Sequence, residues 1–284
     1  MKQYGLLFIS CLLAAGSVFT ACNNQPTAEE EKSQKKEGDS ATHKIKEENV
    51  SYTSADSTMN SFIAYDESID KKRPAVLILP EWWGLNDYTR ARARQLAAMG
   101  YIAMAVDLYG FGRTADTPDS AQKLAAPFYK DPHIAQIHFD AALAKLKTYP
   151  QTDANNVAAI GYCFGGAQVL NIAKQGEDIK GVVSFHGNLA GVPARKDRLR
   201  AKILVCHGEA DQFVKPEEVA MFKKQMDSIG ADYSFKSYPG ATHAFTNPNA
   251  TAVGQKFNMP IAYNAAADSA SWKEMKQFFD KIFK

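Results

Sequence analysis

The chain has 284 residues, 45% of them hydrophobic, with 33 Lys and Arg against 31 Asp and Glu for a formal net charge of +2. That length suits one large α/β domain or two small ones. The even charge leaves no cationic surplus for nucleic-acid phosphates, and four cysteines are too few for a disulfide-stapled scaffold.

The N-terminus departs from this even texture. Lys2 precedes an apolar or small-residue run from Gly5 to Ala21, which ends in Ser17-Val18-Phe19-Thr20-Ala21-Cys22. A charged start, a short apolar stretch and small residues before a cut predict a secretory signal over residues 1–21. Its end on Cys22 resembles the bacterial lipobox; Thr20 and Ala21 fit it, and Phe19 stands where Leu is usual. The resemblance implies lipidation at Cys22, a lipid anchor in a bacterial membrane and a place in the cell envelope; an ordinary signal cut nearby is the alternative. Residues 22–49 are rich in Glu, Lys, Asn and Gln. They have little to bury and read as a flexible tether. After residue 25 no apolar run approaches the roughly 20 residues of a membrane span.

From residue 50 to 284 the pattern is that of a folded domain. Residues 50–52 and 62–65 read as a hairpin. Residues 75–79 (Ala-Val-Leu-Ile-Leu) are a continuous apolar strand, as expected where both faces are covered. A helix is expected over 86–99, stopped by Gly100, then a buried strand over 102–106 and helices near 118–128 and 132–148. Strands follow at 157–160, 181–185, 203–206 and 233–238, with helices at 165–174, 216–229 (Pro216 at its start) and 268–283. Alternation of this kind predicts an α/β fold with a mostly parallel central sheet and helices on both faces. In such sheets the site lies beyond the carboxyl ends of the strands.

Three of those ends carry reactive side chains. Gly161-Tyr162-Cys163-Phe164-Gly165-Gly166 follows a strand and opens a helix. This is the nucleophile-elbow pattern, with Cys in place of Ser. The glycines permit the tight turn, and the helix N-terminus favours a thiolate. Asp211 follows the strand at 203–206, and His243 follows the strand at 233–238. The order Cys163, Asp211, His243 is the nucleophile–acid–base order of α/β-hydrolases. Cys206 sits within an apolar strand and reads as core. His207 reads as structural, and His43, His133 and His138 lack partners in the pattern. His186 ends a strand and is a candidate for lining the site. No metal-ligand or phosphate-loop spacing is present, so no metal, nucleotide or other cofactor is implied.

On these residues the chain resembles the dienelactone hydrolase family, the cysteine-nucleophile branch of the α/β-hydrolases. The elbow carries the likeness, together with Pro80-Glu81-Trp82-Trp83-Gly84-Leu85-Asn86, Asp107-Leu108-Tyr109-Gly110 and His243-Ala244-Phe245, and it spans residues 50–284. The resemblance implies an α/β-hydrolase fold and a Cys163–His243–Asp211 triad. It also implies Glu81 as an extra carboxylate at the thiol, and the backbone N–H groups of Trp82 and Phe164 as an oxyanion hole. Family members carry an Arg directly after the Asp-Leu-Tyr segment; here Gly110-Phe111-Gly112 precedes Arg113. Arg113, Trp83, Tyr109 and His186 are the candidate substrate contacts. The implied activity is hydrolysis of a small-molecule ester or lactone through an acyl-thioester, by a monomer without a nucleic-acid partner. Another carboxylesterase or thioesterase on the same scaffold is one alternative, and a surface binding lipoprotein of weak activity is another.

Overall fold

A computed structural model describes residues 43–284. The signal expected over 1–21, the lipidation expected at Cys22 and the first part of the expected tether lie outside the described residues.

Strands β1 (Ile45–Ser54) and β2 (Ser57–Asp66) form a hairpin in continuous register from Ile45 opposite Asp66 to Ser54 opposite Ser57. The folded domain therefore begins five residues before the expected boundary at 50, and the tether expected over 22–49 gives way to strand at Ile45. Composition misleads here because β1 is an edge strand. Its charged residues stay at the surface and find partners across the chain: Glu47 accepts from Arg94 at 2.7 and 3.0 Å, and Glu48 accepts from the Tyr65 and Tyr149 hydroxyls at 2.8 and 3.0 Å. Charge on an edge strand also discourages pairing with a second chain.

The remaining elements alternate. β3 (Arg73–Leu79) leads to α1 (Asp87–Ala98), β4 (Ile102–Ala105), α2 (Pro118–Lys130) and α3 (His133–Lys147). β5 (Thr152–Tyr162) then turns into α4 (Phe164–Gln175), followed by β6 (Gly181–Phe185) and β7 (Lys202–Gly208). α5 (Pro216–Ile229), β8 (Tyr233–Tyr238), α6 (Ala250–Phe257) and α7 (Ala265–Ile282) complete the chain. Helix α6 has no counterpart in the sequence reading, being only eight residues long. α7 starts three residues earlier than the expected 268, where the Asn264 side chain accepts from the Ala267 N–H at 3.0 Å and caps it.

The eight strands form one sheet in the order β1-β2-β4-β3-β5-β6-β7-β8. β2 pairs antiparallel with β1 and β4, and all other pairings are parallel. Alternate side chains of each central strand go to opposite faces. Ala75, Leu77 and Leu79 of β3 join a core closed by α2, α3, α4 and α5. Val76 and Ile78 join a second core closed by α1 and α7. β3 neighbours both β4 and β5, so the chain leaves β3 towards one edge and returns on its other side. That reversal opens a crevice above the carboxyl ends of β3 and β5.

A buried ion pair ties the second face together. The Arg92 guanidinium on α1 donates to Asp268 Oδ1 on α7 at 2.6 Å and to the Thr246 carbonyl at 2.7 Å. Replacing Arg92 with Ala strands a mostly buried carboxylate and a buried carbonyl. Arg92→Ala should lower the unfolding free energy by about 3 kcal/mol, read as a lower urea midpoint at unchanged slope. An unmoved midpoint would show that the pair does not hold α1, α7 and this loop together.

Candidate active site

The crevice is built on an unusual approach of backbone to backbone. A Cβ on Gly161 would lie 2.1 Å from the Gly165 carbonyl oxygen, and one on Gly165 would lie 2.3 Å from that of Leu79. Only glycine fits at either position. The turn between them puts Cys163 at φ 52° and ψ −116°, a strained conformation for a residue with a Cβ. The strain is held by hydrogen bonds. The Cys163 N–H donates to the Phe185 carbonyl at 2.9 Å and to His186 Nδ1 at 3.1 Å, and the Gly165 N–H donates to the Pro80 carbonyl at 3.0 Å.

His243 stands beside this turn. Its Nδ1 lies 2.8 Å from Asp211 Oδ2, so Nδ1 carries the proton and Nε2 faces the cavity side. Asp211 Oδ1 accepts from the Phe213 and Val214 N–H groups at 2.8 and 3.3 Å, and the carboxylate is fully enclosed. Burial alone would lower the His243 pKa. The charge of the Cys163 sulfur and the hydrogen bonds to Asp211 and Cys163 outweigh it and raise the imidazole to about 10. This favours the protonated imidazolium at His243.

Glu81 follows β3 and is almost wholly buried. Its Oε2 accepts from Asn247 Nδ2 at 2.7 Å. Burial pushes its pKa up to about 7, against the smaller opposing effects of Asn247, His243 and Arg92. Glu81, Cys163 and His243 line one cavity of about 460 Å³, walled by Trp82, Trp83, Tyr129, Phe213, Met259 and Ile261. The Trp82 and Phe164 N–H groups make no hydrogen bond to protein among the described residues. Phe164 is the first residue of α4, where the N–H has no intrahelical acceptor.

The other candidates take different places. Trp83 lines the cavity and stacks on Phe257 with ring centroids 6.1 Å apart. Tyr109 lies behind the cavity, where its hydroxyl donates to the Trp82 carbonyl at 2.9 Å and its ring packs on Phe164. It shapes the loop rather than the cavity surface. Arg113 folds back on its own loop, donating to the Gly110 and Tyr109 carbonyls, with its guanidinium over the Phe111 ring. It does not line the cavity. His186 is also behind the elbow. Nδ1 accepts from Cys163, so Nε2 donates to Thr246 Oγ1 at 2.7 Å. Burial, reinforced by His243 and Arg92, holds His186 far below the usual imidazole pKa and keeps it neutral.

Cys206 is buried in β7, where the Tyr238 hydroxyl donates to its sulfur at 3.5 Å. Burial pushes its thiol up to about 12, which leaves it unreactive. Asn247, Thr246 and most of the cavity wall had no signal in the sequence pattern. Asn247 lies four residues after His243, and that proximity was the single available pointer.

A mostly parallel sheet whose central strand turns sharply into a helix at a positive-φ residue, with a His and an Asp presented from later strand ends, defines an α/β-hydrolase fold. The sequence profile of the dienelactone hydrolase family matches residues 59–283, and the chain belongs to that family of hydrolases. Among its relatives, protein usf of Aquifex pyrophilus is 31% identical over 197 residues, covering 67% of this chain and 84% of that one. A "putative carboxymethylenebutenolidase" of Aquifex aeolicus is 29% identical over 217 residues, covering 74% and 89%. Among solved structures, a dienelactone hydrolase-like promiscuous phosphotriesterase from metagenomic libraries superposes with a TM-score of 0.78 at 31% identity, covering 84% of this chain and 98% of that one.

The Glu81 environment has a consequence for stability. The folded protein holds the Glu81 proton more tightly than the unfolded chain, so this group costs stability progressively as pH rises from about 4.5 to about 7. Glu81→Gln mimics the protonated acid. It should be more stable than the parent at pH 8, by roughly 3 kcal/mol, and the gap should close as pH falls towards 4.5. Urea unfolding at pH 5 and pH 8 measures this; a gap independent of pH would show that burial does not raise Glu81.

Proposed function

We propose that this hydrolase cleaves a carboxylic ester or lactone with Cys163 as nucleophile, through an acyl-thioester. The observation that carries the reading is the Asp211–His243 hydrogen bond in the same cavity as Cys163, which sits on a strained elbow. The carbonyl carbon is attacked by Cys163 Sγ, and the oxyanion is received by the Trp82 and Phe164 N–H groups, each worth a few kcal/mol where water is excluded. His243 gives its Nε2 proton to the leaving alkoxide as the tetrahedral intermediate collapses to the thioester. It then takes a proton from water for deacylation, while Asp211 holds its tautomer and offsets its charge. Expulsion of the thiolate outruns expulsion of an amine, so activated esters and enol-lactones are better substrates than amides. The name of the Aquifex aeolicus relative, carboxymethylenebutenolidase, denotes hydrolysis of a lactone and agrees with this class.

Glu81 supplies the resting state in this scheme. While the thiol is neutral, Glu81 stands ready to accept its proton as Sγ attacks and to return it to the thiolate released on deacylation, so the Nε2 proton that reaches the alkoxide is that of the His243 imidazolium, and the Asn247 amide positions the Glu81 carboxylate until substrate enters. We also propose, from the sequence alone, that the chain is exported and lipid-anchored through Cys22.

Cys163→Ala and His243→Ala should each lose on the order of a thousandfold in turnover of p-nitrophenyl acetate, because such residues act as a unit. Asp211→Asn should fail as well, by favouring the wrong imidazole tautomer. Mass spectrometry of quenched reactions should find the acyl group on Cys163. Near-parental turnover in Cys163→Ala would remove the nucleophile from this scheme. For the anchor, metabolic labelling with palmitate should tag the parent and not Cys22→Ala; equal labelling would refute the lipobox.

A further inference from the structure

Apart from Cys163 and His243, whose charge is held by Asp211 behind it, the ionisable carboxyl or amine group in the walls of the cavity that holds Cys163 is Glu81. The cavity's walls are the aromatic rings of Trp82, Trp83, Tyr129 and Phe213 with the apolar side chains of Met259 and Ile261. Besides the reacting groups, its polar lining is Gln122 and Asn188, both uncharged. Among the described residues no Lys or Arg lines it. The acid that does line it is Glu81.

The arginines of nearby sequence and space are committed elsewhere. Arg92 is buried and satisfied by Asp268 and the Thr246 carbonyl. Arg113 is turned onto the Gly110 and Tyr109 carbonyls. Neither can swing into the cavity without leaving carbonyls or a carboxylate unpaired. The free backbone donors at Trp82 and Phe164 are taken up by the reacting carbonyl oxygen and are not available to a second anion.

We infer that the site selects uncharged esters and lactones with an apolar or aromatic acyl part, and rejects substrates whose acyl part carries a carboxylate. An anionic substrate would give up water without gaining a counter-ion, and it would approach the Glu81 carboxyl. A neutral acyl chain of the same length loses nothing by leaving water and gains the aromatic walls. The selectivity follows from what the walls lack in cations, and it applies to binding as well as to turnover. This inference rests on the hydrolase reading above for its turnover arm, and on the cavity alone for its binding arm.

The test compares p-nitrophenyl pentanoate with the mono-p-nitrophenyl ester of glutaric acid. The two acyl chains have the same number of carbons and differ at the far end, a methyl group against a carboxylate. Rates are corrected for each ester's spontaneous hydrolysis. The pentanoate should have the higher kcat/KM, on the order of a hundredfold. Gln122→Arg places a cation on the cavity wall without touching the reacting groups. It should raise the ratio of kcat/KM for the glutarate ester to that for the pentanoate at least tenfold, mainly through KM of the glutarate ester. Asn188→Arg is the second variant if the first folds poorly.

Binding is measured separately with Cys163→Ala protein, by quenching of the Trp82 and Trp83 fluorescence with each ester. Tighter binding of the pentanoate supports the inference even if neither ester is turned over, and that combination would remove the hydrolase reading alone. Equal kcat/KM for the two esters in the parent, or equal affinity in Cys163→Ala, would overturn the inference.

Discussion

The molecule depends on how closely β5, α4 and the end of β3 approach one another. Gly161 and Gly165 make the approach sterically possible, and the Gly165 N–H bonded to the Pro80 carbonyl holds it. Cys163 is forced to positive φ as a result, a cost of about 1–3 kcal/mol that the surrounding packing sustains. The same approach brings the loop after β3 against the first turn of α4. Trp82 and Phe164, distant in sequence, are thereby brought to the same crevice, their N–H groups without protein partners among the described residues. A looser turn would draw Cys163 away from the loop after β3, and the crevice at the strand switch would lose its fixed geometry.

A second dependence runs through the short loop from His243 to Asn247. Its residues hold three different parts of the site. His243 meets Asp211, the Thr246 hydroxyl meets His186 behind the elbow and Tyr88 on α1, and Asn247 meets Glu81. The Thr246 carbonyl is in turn gripped by Arg92. His243, His186 and Glu81 are thus supported by a buried polar network in which each member has a partner, the condition under which such a network rigidifies a site rather than weakening it. Arg92 contributes its charge to this scaffold and not to the cavity, which explains how a chain with 33 basic residues leaves its cavity without one.

Much of this was legible in the chain itself. The continuous apolar run at β3 announced a strand covered on both faces, and the glycines around Cys163 announced the elbow, because close approach can be read from residues that have no side chain. The order of Cys163, Asp211 and His243 pointed to later strand ends as the places to look. The start of β1 was not legible, since an exposed edge strand has the composition of a linker until its partners are known. Helix α6 was too short for its period to register, and the cavity wall drew on Tyr129, Phe213 and the Met259–Ile261 loop, three segments far apart in sequence with no common spacing to reveal them.

Sequence alone determined the alternation of strand and helix, the elbow and the residue types that carry the chemistry, since each depends on local properties: periodicity, steric size and nucleophilicity. Tertiary structure decided the rest. It turned Arg113 away from the cavity onto its own loop carbonyls, set His186 behind the elbow instead of in the cavity wall, gave Glu81 an Asn247 partner, and left the cavity with mostly apolar walls and no Lys or Arg among the described residues that line it. These outcomes depend on which groups compete for which partners once the chain has closed on itself, and a side chain's partner is a property of three-dimensional neighbours that no linear spacing encodes.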